Sequence, residues 1–175
     1  MKYLFLDIDG VLVTESNICH AFDLFHILEK HFPEKQIDLR ELTRDEYGER
    51  FDSLALRALK WIVDQTGAKI VMSSTMRNDG MERLRSMWKY RECPGELIGI
   101  TPDHSRITGS TLQRGKEIQE YLAKAVDVES YAILDDDNDM EPLQFRNFVQ
   151  TDPQYGLTFK DAEKIIAILN RNEKK

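Results

Sequence analysis

Four apolar residues, Tyr3-Leu4-Phe5-Leu6, run without a break into Asp7-Ile8-Asp9-Gly10. A continuous run this short suits a strand buried on both faces, as in a parallel sheet covered by helices. It stops at two carboxylates. Residues i and i+2 of an extended chain point to the same side, roughly 6–7 Å apart at about 3.3 Å rise per residue. Asp7 and Asp9 therefore face one spot, Ile8 faces away, and Gly10 lets the chain turn sharply. Ligands of open α/β sheets sit outside the carboxyl ends of the strands. Two like charges so close repel unless a cation lies between them or one takes up a proton. A pair of solvated turn carboxylates is the plainer alternative, since Asp-x-Asp is a common pattern.

The rest of the chain alternates between helical and strand-like segments. Apolar residues at 18, 22, 25, 28 and 32 form a helical stripe, with Ser16 or Asn17 as its cap and Pro33 as its end. The histidines here, His20, His26 and His31, lack the i,i+4 spacing that would put two metal ligands on one face. Residues 33–50 are dense in charge and poor in large apolar groups. They read as a surface insertion, either a lid over the first site or a charged loop with a short helix. Asp52 or Ser53 caps a helix with Leu56, Leu59, Ile62 and Val63 on its buried face, closed by Gly67. Ala68 to Met72 is a second strand, running into Ser73-Ser74-Thr75-Met76-Arg77. A helix from about 79 to 90 follows, with Met81, Leu84 and Trp88 on one side. Arg83, Arg85, Lys89 and Arg91 read as its solvated face rather than as a nucleic-acid patch. After a strand at Leu97–Ile100 and a polar loop at 101–113, Arg114-Gly115-Lys116 opens a helix. Tyr131–Leu134 is a buried strand ending in Asp135-Asp136-Asp137-Asn138-Asp139. Phe148-Val149 adds a short strand. Thr158 caps a last helix that turns Ala162, Ile165, Ile166 and Leu169 inward. This alternation is that of an α/β fold with a mainly parallel sheet.

The chain has 175 residues, the length of a single domain. Any cap is small, at about residues 14–52. The net charge of −7 argues against a general nucleic-acid coat, which needs a basic surface. It leaves room for a local basic pocket. Cys19 and Cys93 are far apart and in no ligand-like spacing, as expected of reduced thiols in a cytoplasmic protein. The N-terminus reads straight into a strand and no apolar run reaches roughly 20 residues, so neither a leader segment nor a membrane span is expected.

Polar groups of the right kinds now stand at four strand ends or helix starts: Asp7 and Asp9, then Ser74, then Lys116, then Asp135 and Asp136. The carboxylates suit a hard cation such as magnesium, which takes oxygen ligands. The hydroxyl and the ammonium suit a phosphoryl oxygen. A calcium loop on Asp135, Asp137 and Asp139 would need Gly and Glu where Met140 and Arg146 stand.

This order and content resemble the haloacid dehalogenase-like (HAD) superfamily of phosphohydrolases, over about residues 2–136. The matching motifs are Asp7-Ile8-Asp9-Gly10, Ser74 at a strand end, Lys116 in Arg-Gly-Lys, and Asp135-Asp136. Ser73-Ser74-Thr75-Met76-Arg77 and the segments around Lys116 and Asp135 are similar to small HAD domains of RNA-repair proteins. The Ser-x-x-Arg spacing and the Asp pair also resemble the phosphatase half of phage polynucleotide kinase-phosphatases.

The resemblance implies a three-layer Rossmann-like fold. It implies a magnesium-dependent phosphatase in which Asp7 is the nucleophile and Asp9 the general acid and base. Metal ligands would come from Asp7, the Asp9 backbone carbonyl, and Asp135 or Asp136. Ser74, Thr75 and Lys116 would hold phosphoryl oxygens, with Arg77 reaching a substrate phosphate or lying solvated on a first helical turn. With so little cap, the expected substrate is a nucleotide or a nucleic-acid terminal phosphate. Another small phosphorylated metabolite, or an inactive scaffold of the same fold, are the alternatives. A receiver-type signalling domain carries similar groups, but in a different order along the chain.

Overall fold

The computed structural model describes residues 1–104 and 113–171. Its centre is β1 (Lys2–Leu6), hydrogen-bonded in parallel to β4 (Lys69–Met72) on one side and to β6 (Ser130–Asp135) on the other. β5 (Leu97–Ile100) and β7 (Phe148–Gln150) extend the sheet, giving the order β5-β4-β1-β6-β7, parallel throughout. The apolar run at residues 3–6 is thus explained. Leu4, Phe5 and Leu6 have strands on both sides and helices on both faces, and none is exposed at all. Burying one such side chain contributes about 1.5–3 kcal/mol.

Period-2 alternation sorts the strand residues between two cores. Leu4, Leu6, Ile70, Met72 and Leu134 pack against α3 (Ser53–Thr66), α4 (Met81–Tyr90) and α6 (Phe159–Leu169). Tyr3, Phe5, Val71 and Ile133 face the other way, onto Ile118 of α5 (Arg114–Lys124). The result is a three-layer α/β sandwich of Rossmann type. Asp52 and Thr158 cap α3 and α6 through their side chains, as their spacing predicts. The loop at 101–113 lies, from 105 to 112, outside the described residues.

Between β1 and α3 the chain makes α1 (Glu15–His31), α2 (Leu39–Thr43) and a two-residue hairpin, β2 (Arg44–Asp45) and β3 (Gly48–Glu49). Thr14, rather than Ser16 or Asn17, caps α1 by accepting from the Asn17 N–H. The apolar stripe of α1 does not do what a stripe usually does: no residue of this helix is buried. Ile18 packs against the core, α2 covers part of the rest, and Phe22, Leu24, Ile27 and Phe32 are exposed. Periodicity reports which residues share a face, and nothing about whether anything lies beneath it.

The hairpin is fixed to the body. Arg91 at the end of α4 donates from Nε and Nη2 to the two oxygens of Asp45, at 2.9 and 2.7 Å. Its guanidinium also lies over the Phe51 ring, 4.2 Å from the centroid. Arg83 donates to the Glu46 carbonyl and sits over Tyr47. So the expected solvated face of α4 is partly an anchor: the Arg91 side chain is only 6% exposed.

Candidate active site

The site follows from the sheet register. Leu6 pairs with Met72 on one side and with Leu134 on the other. The next residues, Ser73, Asp7 and Asp135, are therefore abreast at the carboxyl ends of β4, β1 and β6. The ladder continues through them, with Asp7 N–H donating to Leu134 O and Ser73 N–H to Leu6 O. After Asp7 the chain coils tightly, and the Ile8 carbonyl accepts from the N–H groups of Val11, Leu12 and Val13.

Carboxylate oxygens of Asp7, Asp135 and Asp136 lie within 4.8 Å of one another. Asp7 and Asp135 are buried, and Asp136 is half-buried. Burial pushes the Asp7 carboxyl up, against the opposing charge of Arg114 and hydrogen bonds from the Ile8 backbone and Ser74. Asp135 is pushed up to about 8, by burial first; Arg114 works against that shift, and the Asp7 charge adds to it. Asp9 stands at the solvent edge. Its carboxyl is raised by partial desolvation and then by the charges of Asp7 and Glu49 on the hairpin. Asp136 is raised in the same way, by desolvation and then Asp7.

Gly10 makes this crowding possible. Its φ is +65°, and a Cβ there would lie 2.4 Å from the Asp136 Oδ2. Gly10→Ala is expected to strain the backbone by about 1–2 kcal/mol and to displace Asp136. The expected result is a lower melting temperature together with at least about a tenfold loss of any cation-dependent activity, a factor that needs about 1.4 kcal/mol at the site. Full retention of both would show that the turn has room the structure does not give it.

Ser74 is fully buried. Its hydroxyl caps the 3-10 turn Thr75–Asp79 through the Met76 N–H and hydrogen-bonds Asp7. Thr75 is exposed on that turn. Lys116 is exposed, and the basic side chain that contacts the carboxylates is Arg114. Arg114 Nη1 is 3.3 Å from Asp7 Oδ1, its Nε is 3.5 Å from Asp135 Oδ2, and its backbone N–H donates to Asp139. The physical reason is helical phase. Arg114 shares the inward stripe of α5 with Ile118, Tyr121 and Leu122, whereas Lys116, two residues on, is turned about 200° away. Gly115 brings the start of α5 close to the turn Pro142–Asn147. A Cβ at that position would meet the Glu141 N–H at 2.4 Å, and its carbonyl accepts from Gln144 Nε2.

Arg77 is where the structure departs from the sequence reading. It is neither solvated nor open to a substrate, being 7% exposed. Its guanidinium is paired with Glu117 at 2.8 Å and donates to the Ser73 carbonyl.

One observation bears on a cation. Asp135 Oδ2 is buried and accepts no hydrogen bond. A fully buried carboxylate oxygen with only a 3.5 Å ionic contact is under-satisfied. With Asp7 and Asp136, Asp135 makes a set of three carboxylates compatible with a hard divalent ion.

A parallel Rossmann-type sheet with Asp-x-Asp-Gly after its first strand, a serine after the second and an acidic pair at the end of the fourth defines a HAD-type phosphohydrolase domain. The family model of the HAD domain in Swiss Army Knife RNA repair proteins matches residues 3–162. The chain belongs to that family. Comparison with curated proteins and with solved structures returns no match. No helix among the described residues is long and apolar enough to cross a membrane.

Proposed function

We propose that this domain is a magnesium-dependent phosphomonoesterase that works through an aspartyl-phosphate, acting on a nucleotide or on the terminal phosphate of a nucleic acid. The observation that carries the reading is the convergence of Asp7, Ser74, Arg114, Asp135 and Asp136 at one end of the sheet.

An Asp7 oxygen attacks phosphorus, and the P–O bond to the alcohol breaks. Asp9 gives its proton to the departing alkoxide. Its raised pKa suits a carboxyl that must hold a proton at the start. Water then attacks the same phosphorus while Asp9 takes a proton from it, and phosphate leaves with Asp7 restored. Ser74 and Arg114 hold the transferring oxygens, and Arg114 supplies two donors in a fixed plane. Asp7, Asp135 and Asp136, with the Asp9 carbonyl, would hold magnesium, which offsets the repulsion between nucleophile and phosphate. The substrate class is supported by the family's RNA-repair setting and by the small insertion between β1 and α3.

The test is phosphate release from sugar phosphates, nucleotides and oligonucleotides with 5′- or 3′-phosphates, with and without magnesium. Turnover of nucleic-acid ends or nucleotides is the expected result. Turnover of sugar phosphates alone would replace the substrate class and keep the chemistry. Binding of oligonucleotides should weaken as salt rises.

A second test needs no substrate. All four carboxyls, Asp7, Asp9, Asp135 and Asp136, are raised, by burial first. Above the ordinary value of 3.8 the folded state then holds protons that the unfolded chain has released. Stability rises with pH only where the unfolded state binds more protons, so here it falls. The melting temperature in EDTA should decline between about pH 4 and about pH 8. Saturating magnesium should cancel much of the decline and raise stability by about 2.7 kcal/mol at a hundredfold excess over Kd. A melting curve indifferent to magnesium across that range would remove the cation from this site.

A further inference from the structure

We infer that Arg77 and Glu117 are positioning residues: a buried ion pair that holds Ser74 and Arg114 in register around Asp7. The inference rests on the phosphohydrolase reading above and deepens it.

Arg77 is 7% exposed and Glu117 3%. Arg77 Nη2 is 2.8 Å from Glu117 Oε2 and 3.5 Å from Asp103 Oδ1. Its Nη1 donates to the Ser73 carbonyl at 2.6 Å and to the Ser74 carbonyl at 3.3 Å. Glu117 uses its other oxygen to accept the His104 N–H at 2.9 Å, just past β5. One side-chain pair thus ties together the end of β4, the end of β5 and the first turn of α5.

The two groups proposed to hold the transferring oxygens sit on the two ends of that tie. Ser74 is on the segment whose carbonyls Arg77 grips. Arg114 lies three residues before Glu117 in α5, on the same side of the helix. No backbone ladder joins β4 to α5, so their relative position depends on side chains. A pair serving only to fill space would be replaced at little cost by apolar residues of similar volume. Apolar residues could not donate to the Ser73 and Ser74 carbonyls. Each Nη group of Arg77 has two inward partners, which leaves neither for a substrate phosphate.

The distinguishing variant is the double change Arg77→Met with Glu117→Met, which removes both charges together. Glu117→Gln is its milder companion, and Arg77→Lys retains a charge and donors. Each is to be compared with wild type in melting temperature, in kcat and KM on whichever substrate the panel reveals, and in amide hydrogen exchange at residues 73–79 and 114–118. The double variant should melt close to wild type and lose about tenfold to a hundredfold in kcat, the scale of a misplacement near 1 Å, with KM within about threefold. Arg77→Lys should recover part of the loss. Exchange should quicken at both segments. Unchanged kcat in the double variant would reduce the pair to packing. A rise in KM alone would make Arg77 a substrate contact instead. Either result overturns the inference. If the double variant does not fold, Glu117→Gln answers by the same measures. If wild-type protein hydrolyses nothing, the phosphatase reading fails, and exchange decides by itself: faster at both segments supports the tie, unchanged refutes it.

Discussion

Asp7→Asn should abolish phosphate release, with a fall of at least about a thousandfold, equivalent to about 4 kcal/mol of transition-state stabilisation. An amide of the same shape cannot attack phosphorus. The substitution should not unfold the protein, and the site's electrostatics give the reason. The burial cost of the Asp7 charge outweighs the help it receives from Arg114, Ile8 and Ser74, so the ionised form is disfavoured where it stands. A neutral side chain removes that cost. In EDTA the variant should melt no lower than wild type, which would assign the lost activity to chemistry and not to folding. Asp9→Asn should behave differently with p-nitrophenyl phosphate. Its leaving group needs no proton, so the first step survives and the second, which needs a base, does not. About one equivalent of nitrophenol per site should appear and then stop, with phosphate retained on the protein, the burst expected of a covalent intermediate. Continuous turnover in Asp7→Asn at the wild-type rate would remove Asp7 as nucleophile.

The parts of this site legible in the sequence are those set by strands. A strand of one phase ends at one residue, and the parallel register then places Ser73, Asp7 and Asp135 in a row without further choice. Residues 3–6, 70–72 and 131–134 announced their strands through unbroken apolar runs, and the acidic or hydroxylic residue after each run marked the site. What the sequence left ambiguous was set by helices and by tertiary pairing. Arg114 and Lys116 are both basic and both open the same helix, and only rotational phase separates them. That phase was available, because Ile118, Tyr121 and Leu122 mark the inward side of α5 and Arg114 falls on it. Arg77 carried no such signal. Its partner Glu117 is 40 residues away along the chain, and nothing local distinguishes a buried arginine from a solvated one. The apolar side of α1 is the converse case, a periodic pattern that the core reaches only at Ile18 and that leaves Phe22 exposed.

Asp45→Ala should destabilise the fold by about 3–5 kcal/mol, the range for breaking a buried ion pair by removing one partner. The side chains of Asp45 and Arg91 are 4% and 6% exposed, so solvent does little to screen or replace the contact. Arg91 would keep its position over Phe51 and lose both of its carboxylate bonds, and its Nη1 already has no partner. Burial by itself would raise the Asp45 carboxyl; hydrogen bonds from Arg91 and from the Tyr47 N–H, with the Arg91 charge, more than reverse this and hold it below its ordinary value. A carboxyl lowered in the folded state contributes stability that is present above the unfolded value of 3.8 and is lost as pH falls through the folded one. Wild type should therefore lose this contribution only in acid, and Asp45→Ala should lack it at every pH. Replacing both partners, as Asp45→Leu with Arg91→Met, should cost far less than either single change. Urea denaturation of the three variants separates these outcomes, since equal losses in the single and double variants would mean that the pair contributes through packing. The consequence reaches the site through the hairpin. Asp45 ends β2, whose partner strand ends at Glu49, and the Glu49 charge helps to keep the Asp9 carboxyl raised. With the anchor gone, amide exchange should quicken over residues 44–50 before it does in the sheet, and Asp9 should lose part of the field that favours its protonated form.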